Sequence, residues 1–98
     1  MGKPESKIEN YLRRRVAETG GQIRKVRWIG RTGCPDEFAW WSEGRHAWAE
    51  CKAEGEEVDW RSIQGREVRR MLDAGLPVYV VSSRDEVDAM IAEVLAHG

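Results

Sequence analysis

The stretch CPDEFAWWSEGRHAWAECK, residues 34–52, decides how this chain is read. Ser42-Glu43-Gly44-Arg45 is a turn between two short strand-like segments, Glu37–Trp41 and His46–Lys52, so a β-hairpin is the natural arrangement. Period two places Glu50 and Lys52 on one face with His46 and Trp48. Ala47, Ala49 and Cys51 take the other face, and they are small enough for a helix to lie close over them. Counting back from the turn pairs Trp41 with His46 and brings Asp36 opposite about Cys51. Asp36 and Glu50 then converge at the open end of the hairpin, beside the Lys52 ammonium.

Two carboxylates this close repel one another unless a cation joins them. A hard divalent ion such as Mg2+ or Mn2+ takes carboxylates, backbone carbonyls and waters as ligands, and can promote attack of water on a phosphoryl group. A lysine in the same place can orient or deprotonate that water, or offset charge in the transition state. The Glu-x-Lys triplet alone carries little information, because these are among the commonest surface residues. Asp36 also fits an acceptor of turn hydrogen bonds, and Glu50 with Lys52 fits a solvated same-face pair.

Upstream, Ile8, Leu12 and Val16 recur every four residues and predict a helix from about Pro4 or Lys7 to Thr19, ended by Gly20-Gly21. Glu9 sits beside that stripe. With Ser6 it also matches a capping box, which pattern alone favours over a role at a site. Gln22–Ile29 reads as a strand, and Gly30–Pro35 as a loop whose glycines allow close backbone approach. Downstream, Ala53–Val58 is an acidic loop. A second helix is expected over Trp60–Ala74, capped by Asp59, with Gln64, Val68, Met71 and Leu72 on one side. Gly65 should weaken its first turn by up to about 1 kcal/mol relative to Ala. Gln64 could hold a water or a phosphate oxygen, although pattern alone favours a surface position. Pro77–Ser82 reads as a central strand covered on both faces. Ser83 and Glu86 form a capping-box pattern ahead of a last helix with Val87, Met90, Ile91, Val94 and Leu95 inward. The order αβββαβα implies an α/β fold, a mixed sheet flanked by helices.

The 98 residues make one small domain. Net charge is -1, but residues 1–49 carry ten Lys or Arg against six Asp or Glu. Arg24, Lys25, Arg27 and Arg31, with Arg13, Arg14 and Arg15 on the first helix, fit phosphate contacts, and ordinary solvation fits them equally. Some of the five tryptophans must pack the core, which leaves a candidate for an exposed contact. Cys34 and Cys51 make neither a disulfide scaffold nor a CxxC site, and His46 and His97 lack zinc-ligand spacing relative to them. No signal-peptide pattern and no apolar run of ~20 residues is present. A cytoplasmic protein with reduced thiols and no membrane association is expected. Residue pattern alone leaves three readings open: a metal-dependent phosphodiesterase, a non-catalytic nucleic-acid-binding module, and a small structural or protein-interaction domain.

From about Ser6 to Ile91 the sequence resembles the VRR-NUC (virus-type replication-repair nuclease) family, a branch of the PD-(D/E)xK nucleases. The resemblance is carried by Glu9, by Gly20-Gly21 with Lys25, by Gly33-Cys34-Pro35-Asp36, by Glu50-Cys51-Lys52, by Gln64, and by Gly75 leading into Val78–Val81. It implies a restriction-endonuclease-like fold and a Mg2+- or Mn2+-dependent endonuclease acting on DNA, in particular branched or structured DNA such as junctions or flaps. It also implies a homodimer, in the cytoplasm of a bacterial or phage-infected cell. By the same resemblance Asp36, Glu50 and the Cys51 carbonyl would hold the metal, with Glu9 directly or through water. Lys52 would be the catalytic lysine and Gln64 a glutamine of the site. Relatives often have Arg after Pro-Asp, where this chain has Glu37. Period two points Glu37 away from Asp36, so an altered surface or helix contact is expected. Cys51 replaces a more usual aliphatic residue and should be buried and inert.

Overall fold

A computed structural model describes residues 6–97, the side chain of Ser6 excepted. Helix α1 (Ser6–Glu18) is followed by strands β1 (Gln22–Lys25), β2 (Glu37–Trp40) and β3 (His46–Cys51). Helix α2 (Ile63–Asp73), strand β4 (Val78–Val81) and helix α3 (Arg84–Ala96) complete the chain. The expected order is therefore present, as a mixed sheet flanked by helices. The proposed helix start at Pro4 and the side-chain half of the Ser6 cap lie outside the described residues.

The sheet runs β1-β2-β3-β4, antiparallel across the first three strands and parallel between β3 and β4. The parallel step follows from α2, which carries the chain back to the starting end of the sheet. Alternation then sorts the side chains. Ala39, Trp41, Ala47, Ala49, Cys51 and Val81 pack with Ile8, Leu12 and Val16 of α1 and Val87, Met90, Ile91 and Val94 of α3. Val78 is buried on the opposite face, where α2 brings Val68. The rest of that face carries the half-buried rings of Phe38, Trp40 and Trp48, the last two each within 5.8 Å of Phe38.

β4 is an edge strand, not the central strand its composition suggested. Its apolar character reports cover by α2 on one face and α3 on the other, which does not require a neighbour on both edges. β1 stops at Lys25 and not at Ile29, because its partner strand begins only at Glu37. Pro35 has no N–H with which to extend the ladder, so a single bond from Val26 N to the Asp36 carbonyl at 2.7 Å closes it. The hairpin turn is also tighter than the four residues expected. Trp40 pairs with His46, and Ser42–Gly44 close the loop with Glu43 (φ 63°) and Gly44 (φ 74°) in left-handed conformation. Continuing that register sets Asp36 opposite Glu50 rather than Cys51.

α2 begins at Ile63, three residues later than expected, and its cap is Ser62, whose Oγ accepts from Gly65 N at 3.0 Å. Asp59 caps a preceding turn instead, accepting from Arg61 N at 3.0 Å. That turn folds back against Gly65: a Cβ there would strike the Asp59 carbonyl oxygen and lie 2.7 Å from Trp60 Cα. Gly65 is thus a packing requirement, not merely a weak helix former. Inward positions of α2 include Glu67, a buried carboxylate that the apolar pattern did not single out, whereas Leu72 is exposed. Among the described residues no helix is long and apolar enough to cross a membrane.

Alanine is a better helix former than glycine by about 1 kcal/mol. Gly65→Ala should nevertheless destabilise the protein, by about 1–3 kcal/mol of overpacking in chemical denaturation. A variant as stable as the parent would contradict the close approach.

Candidate active site

The open end of the hairpin gathers residues from five segments. Pro35 is almost wholly buried, and its carbonyl accepts from Trp28 Nε1 at 2.7 Å. Together with the Val26 bond this fixes the backbone on both sides of the Pro35–Asp36 peptide. Asp36 stands one residue before Glu37, which points into the α1 face with Ala49 as its cross-strand partner. By alternation Glu50 projects from the opposite face, whereas the Asp36 carboxylate, one residue before β2, lies with those of Glu9 and Glu37, the oxygens of the three within 4.8 Å of one another.

Glu50 is largely withdrawn from water. Burial, and then the neighbouring charge of Asp36, push its carboxyl up to about 7, although Lys52 and a hydrogen bond with Gln64 act downward. Lys52 Nζ donates to Gln64 Oε1. Gln64 thus touches both the acid and the ammonium. Its own position is set by Gly33, whose left-handed backbone (φ 90°) passes so close that a Cβ would lie 3.0 Å from Gln64 Cα. The 30–35 loop is further tied to α2 by Arg31, which pairs with Glu67 beside Arg70. Arg31 foremost draws Glu67 down to about 2.

A second group of charges adjoins Asp36. Lys25 Nζ lies 2.8 Å from Glu9 Oε2, 3.1 Å from Asp36 Oδ2 and 3.9 Å from Glu37 Oε1. The hydrogen bond to Glu9 is the largest influence holding Lys25 well above its ordinary value. Glu37 is fully buried, takes 2.8 Å from Arg13 Nη2 on Oε1, and leaves Oε2 without a partner. Burial pushes Glu37 up to about 7 against the pull of Arg13. Glu37 thus makes a contact with α1.

Glu50 and Lys52 meet at Gln64, the charge of Asp36 acts on Glu50, and Asp36 and Glu9 share Lys25. The Cys51 side chain is buried, and burial pushes its thiol far up, so it is not a nucleophile. Of the seven basic residues expected to fit phosphates, four have acidic partners: Lys25 with Glu9 and Asp36, Arg13 with Glu37, Arg31 with Glu67, and Arg15 with Glu18 and Asp88, while Arg14 lies over the Tyr11 ring. Arg24 lies over the Trp40 ring at 5.2 Å, and Arg27 is exposed. Arg61, Arg66, Arg69 and Arg70 on and before α2 are further exposed cations that the charge count by halves had hidden inside an acidic segment.

The donor set fits a hard divalent ion. One carboxylate, Glu50, is partly desolvated and raised by the nearby charge of Asp36, and a further carboxylate oxygen, Glu37 Oε2, is buried without a partner. The oxygens of Glu9, Asp36 and Glu37 lie within 4.8 Å of one another. A cation near Asp36 and Glu50 would relieve their repulsion.

Comparison with known proteins gives two informative matches. A phage protein carrying the name "Putative nuclease p44", from Acyrthosiphon pisum secondary endosymbiont phage 1, is 36% identical over 81 residues, which is 83% of this chain and 85% of that protein. A solved structure described as a VRR_NUC domain superposes with a TM-score of 0.81 and 30% identity, over 93% of this chain and 97% of that one. No family model matches the chain.

Glu50 and Glu37 are raised above the ordinary glutamate range in the folded state, both to about 7. Between that range and pH 7 the folded state holds more protons than the unfolded, so stability falls as pH rises through this window. The metal-free protein should therefore melt several degrees lower at pH 7.5 than at pH 5, with a shallower decline in Glu50→Gln. A thermal midpoint that rises over this interval would contradict the buried carboxyls.

Proposed function

Because this chain belongs to the VRR-NUC family, we propose that it is a nuclease that hydrolyses DNA phosphodiester bonds with Mg2+ or Mn2+. The observation that supports this best is Glu50, partly withdrawn from water and raised by the nearby charge of Asp36, with Lys52 and Gln64 joined beside it. In this reading Asp36 and Glu50 hold the ion, and the Cys51 carbonyl adds a backbone oxygen. When bound, the ion supplies positive charge to the phosphoryl oxygens and makes water a stronger nucleophile at neutral pH. Lys52 places its ammonium where negative charge grows, and Gln64 restrains it through Oε1. Glu9 acts on the shell through Lys25, which it shares with Asp36.

The substrate is DNA, contacted through phosphates by Arg24, Arg27 and the exposed arginines of α2, with Arg31 at the margin. Branched or structured DNA, cut internally, is the substrate we propose. A homodimer would present two such centres about a two-fold axis, so that two strands of a branch are cut symmetrically. The setting is the cytoplasm of a bacterial or phage-infected cell, in keeping with the phage origin of the relative.

The test is cleavage of linear, flap and four-way substrates in Mg2+, Mn2+, Ca2+ and EDTA. The parent should cut a branched substrate in Mg2+ or Mn2+ and not in EDTA, and Asp36→Asn should lose the activity. Lys52→Ala should cut at least about a hundredfold more slowly while melting like the parent. Binding without cutting in any metal would overturn the enzyme. Equal cutting by Lys52→Ala would overturn the role of that lysine.

A further inference from the structure

Lys25 is the last residue of β1 and the cross-strand partner of Glu37. Glu37 turns into the core, while the longer lysine stem runs past the end of the hairpin to the gap between α1 and Asp36. There the ammonium meets Glu9 at 2.8 Å and Asp36 at 3.1 Å, with Glu37 at 3.9 Å. The three carboxylates offer oxygens within 4.8 Å of one another. Ligand oxygens around one octahedral divalent ion are about 3 to 4 Å apart, so a small contraction would make this triple a metal site. Its buried wall is already unusual: Glu37 Oε2 is buried with no hydrogen-bond partner among the described residues. Among the described residues Arg13 is the one other cation paired with these acids, and it takes Glu37 from the side of α1. Three formal negative charges thus meet two positive ones, and without Lys25 the imbalance would double.

We propose that Lys25 is a resident cation, occupying between Glu9, Asp36 and Glu37 the position that a second divalent ion would otherwise take. Each active centre then loads one metal, beside Glu50, while Asp36 is shared between that metal and the lysine. The two cannot sit in the same pocket, because an ammonium and a divalent ion cannot occupy the same ligand oxygens and repel at contact distance. Lys25 is accordingly a positioning residue: it fixes the Asp36 carboxylate through Oδ2 and leaves the other carboxylate oxygen outside that ion pair. This rests on the metal-dependent reading above and deepens it by setting the metal count.

The test counts Mn2+ on the full chain without DNA, by electron paramagnetic resonance at a series of free Mn2+ concentrations. The parent should bind one ion per chain with an uncoupled spectrum. Lys25→Met should bind two at the same free Mn2+, with the broadened signal of a spin-coupled pair. Adding Glu9→Gln to Lys25→Met should return the count to one. Lys25→Gln, which keeps a donor to Glu9 but no charge, should also gain the second ion and serves if the methionine variant does not fold. Two ions on the parent, or one on both neutral variants, would overturn the resident cation and leave the nuclease standing. No Mn2+ on the parent would overturn both.

Discussion

Two carbonyl oxygens hold the active end of this molecule in place. The Pro35 carbonyl accepts the Trp28 indole N–H, and the Asp36 carbonyl accepts Val26 N. Because proline cannot donate, the β1–β2 ladder has to end here, and the chain between the two strands must loop out and return. The indole takes a carbonyl that would otherwise be buried without a partner. The cost of ending the ladder is thereby offset, and the Asp36 carboxylate stands on a rigid backbone with its Oδ2 paired to Lys25. Trp28 in turn packs at a tilt against Trp48, ring centroids 5.1 Å apart, so the anchor is braced against β3, the strand that carries Glu50.

On that footing the other groups follow from contacts made without side-chain bulk. Gly33 lets the loop pass over the backbone of Gln64, and Gly65 lets the turn at Asp59 lie against the start of α2. The helix is pulled toward the hairpin mouth by Glu67, which binds Arg31 from the loop and Arg70 from its own next turn. A buried carboxylate held by two guanidiniums is better matched than one held by a lone ammonium, because planar donors can share its oxygens. The result is an electrostatic division of labour. Glu67 secures the scaffold, Glu37 supports Lys25 from below, and Asp36, shared with Lys25, acts by its charge on the half-buried Glu50.

The architecture was legible wherever burial imposes a period. The stripes of α1 and α3, the two faces of β3 and the crossover helix all follow from spacing alone. The errors share one cause, which is contact between segments distant in the chain. The strand ending at Lys25, the late start of α2 and the edge position of β4 depend on what packs against each element, and no local pattern carries that information. At the site, Asp36, Glu50 and Lys52 could be picked out because one hairpin brings them together. Glu9 and Gln64 could not be raised above cap and surface residues by pattern, since each owes its place to a different element, and only the family resemblance singled them out. Glu37 and Glu67 were hardest to place, because charged residues are expected outside and these two are inside only by virtue of arginines 24 and 36 positions away.

The pairing of Glu37 with Arg13 also bears on how such a chain can evolve. With no water on Glu37 and Arg13 as the nearest guanidinium, neither residue is free to change alone. A descendant that placed a cation after Pro-Asp would need an acid or an apolar residue on the neighbouring turn of α1 in the same lineage. The two sites, 24 positions apart, should drift as a unit and leave a covarying signature among relatives, even where neither touches substrate.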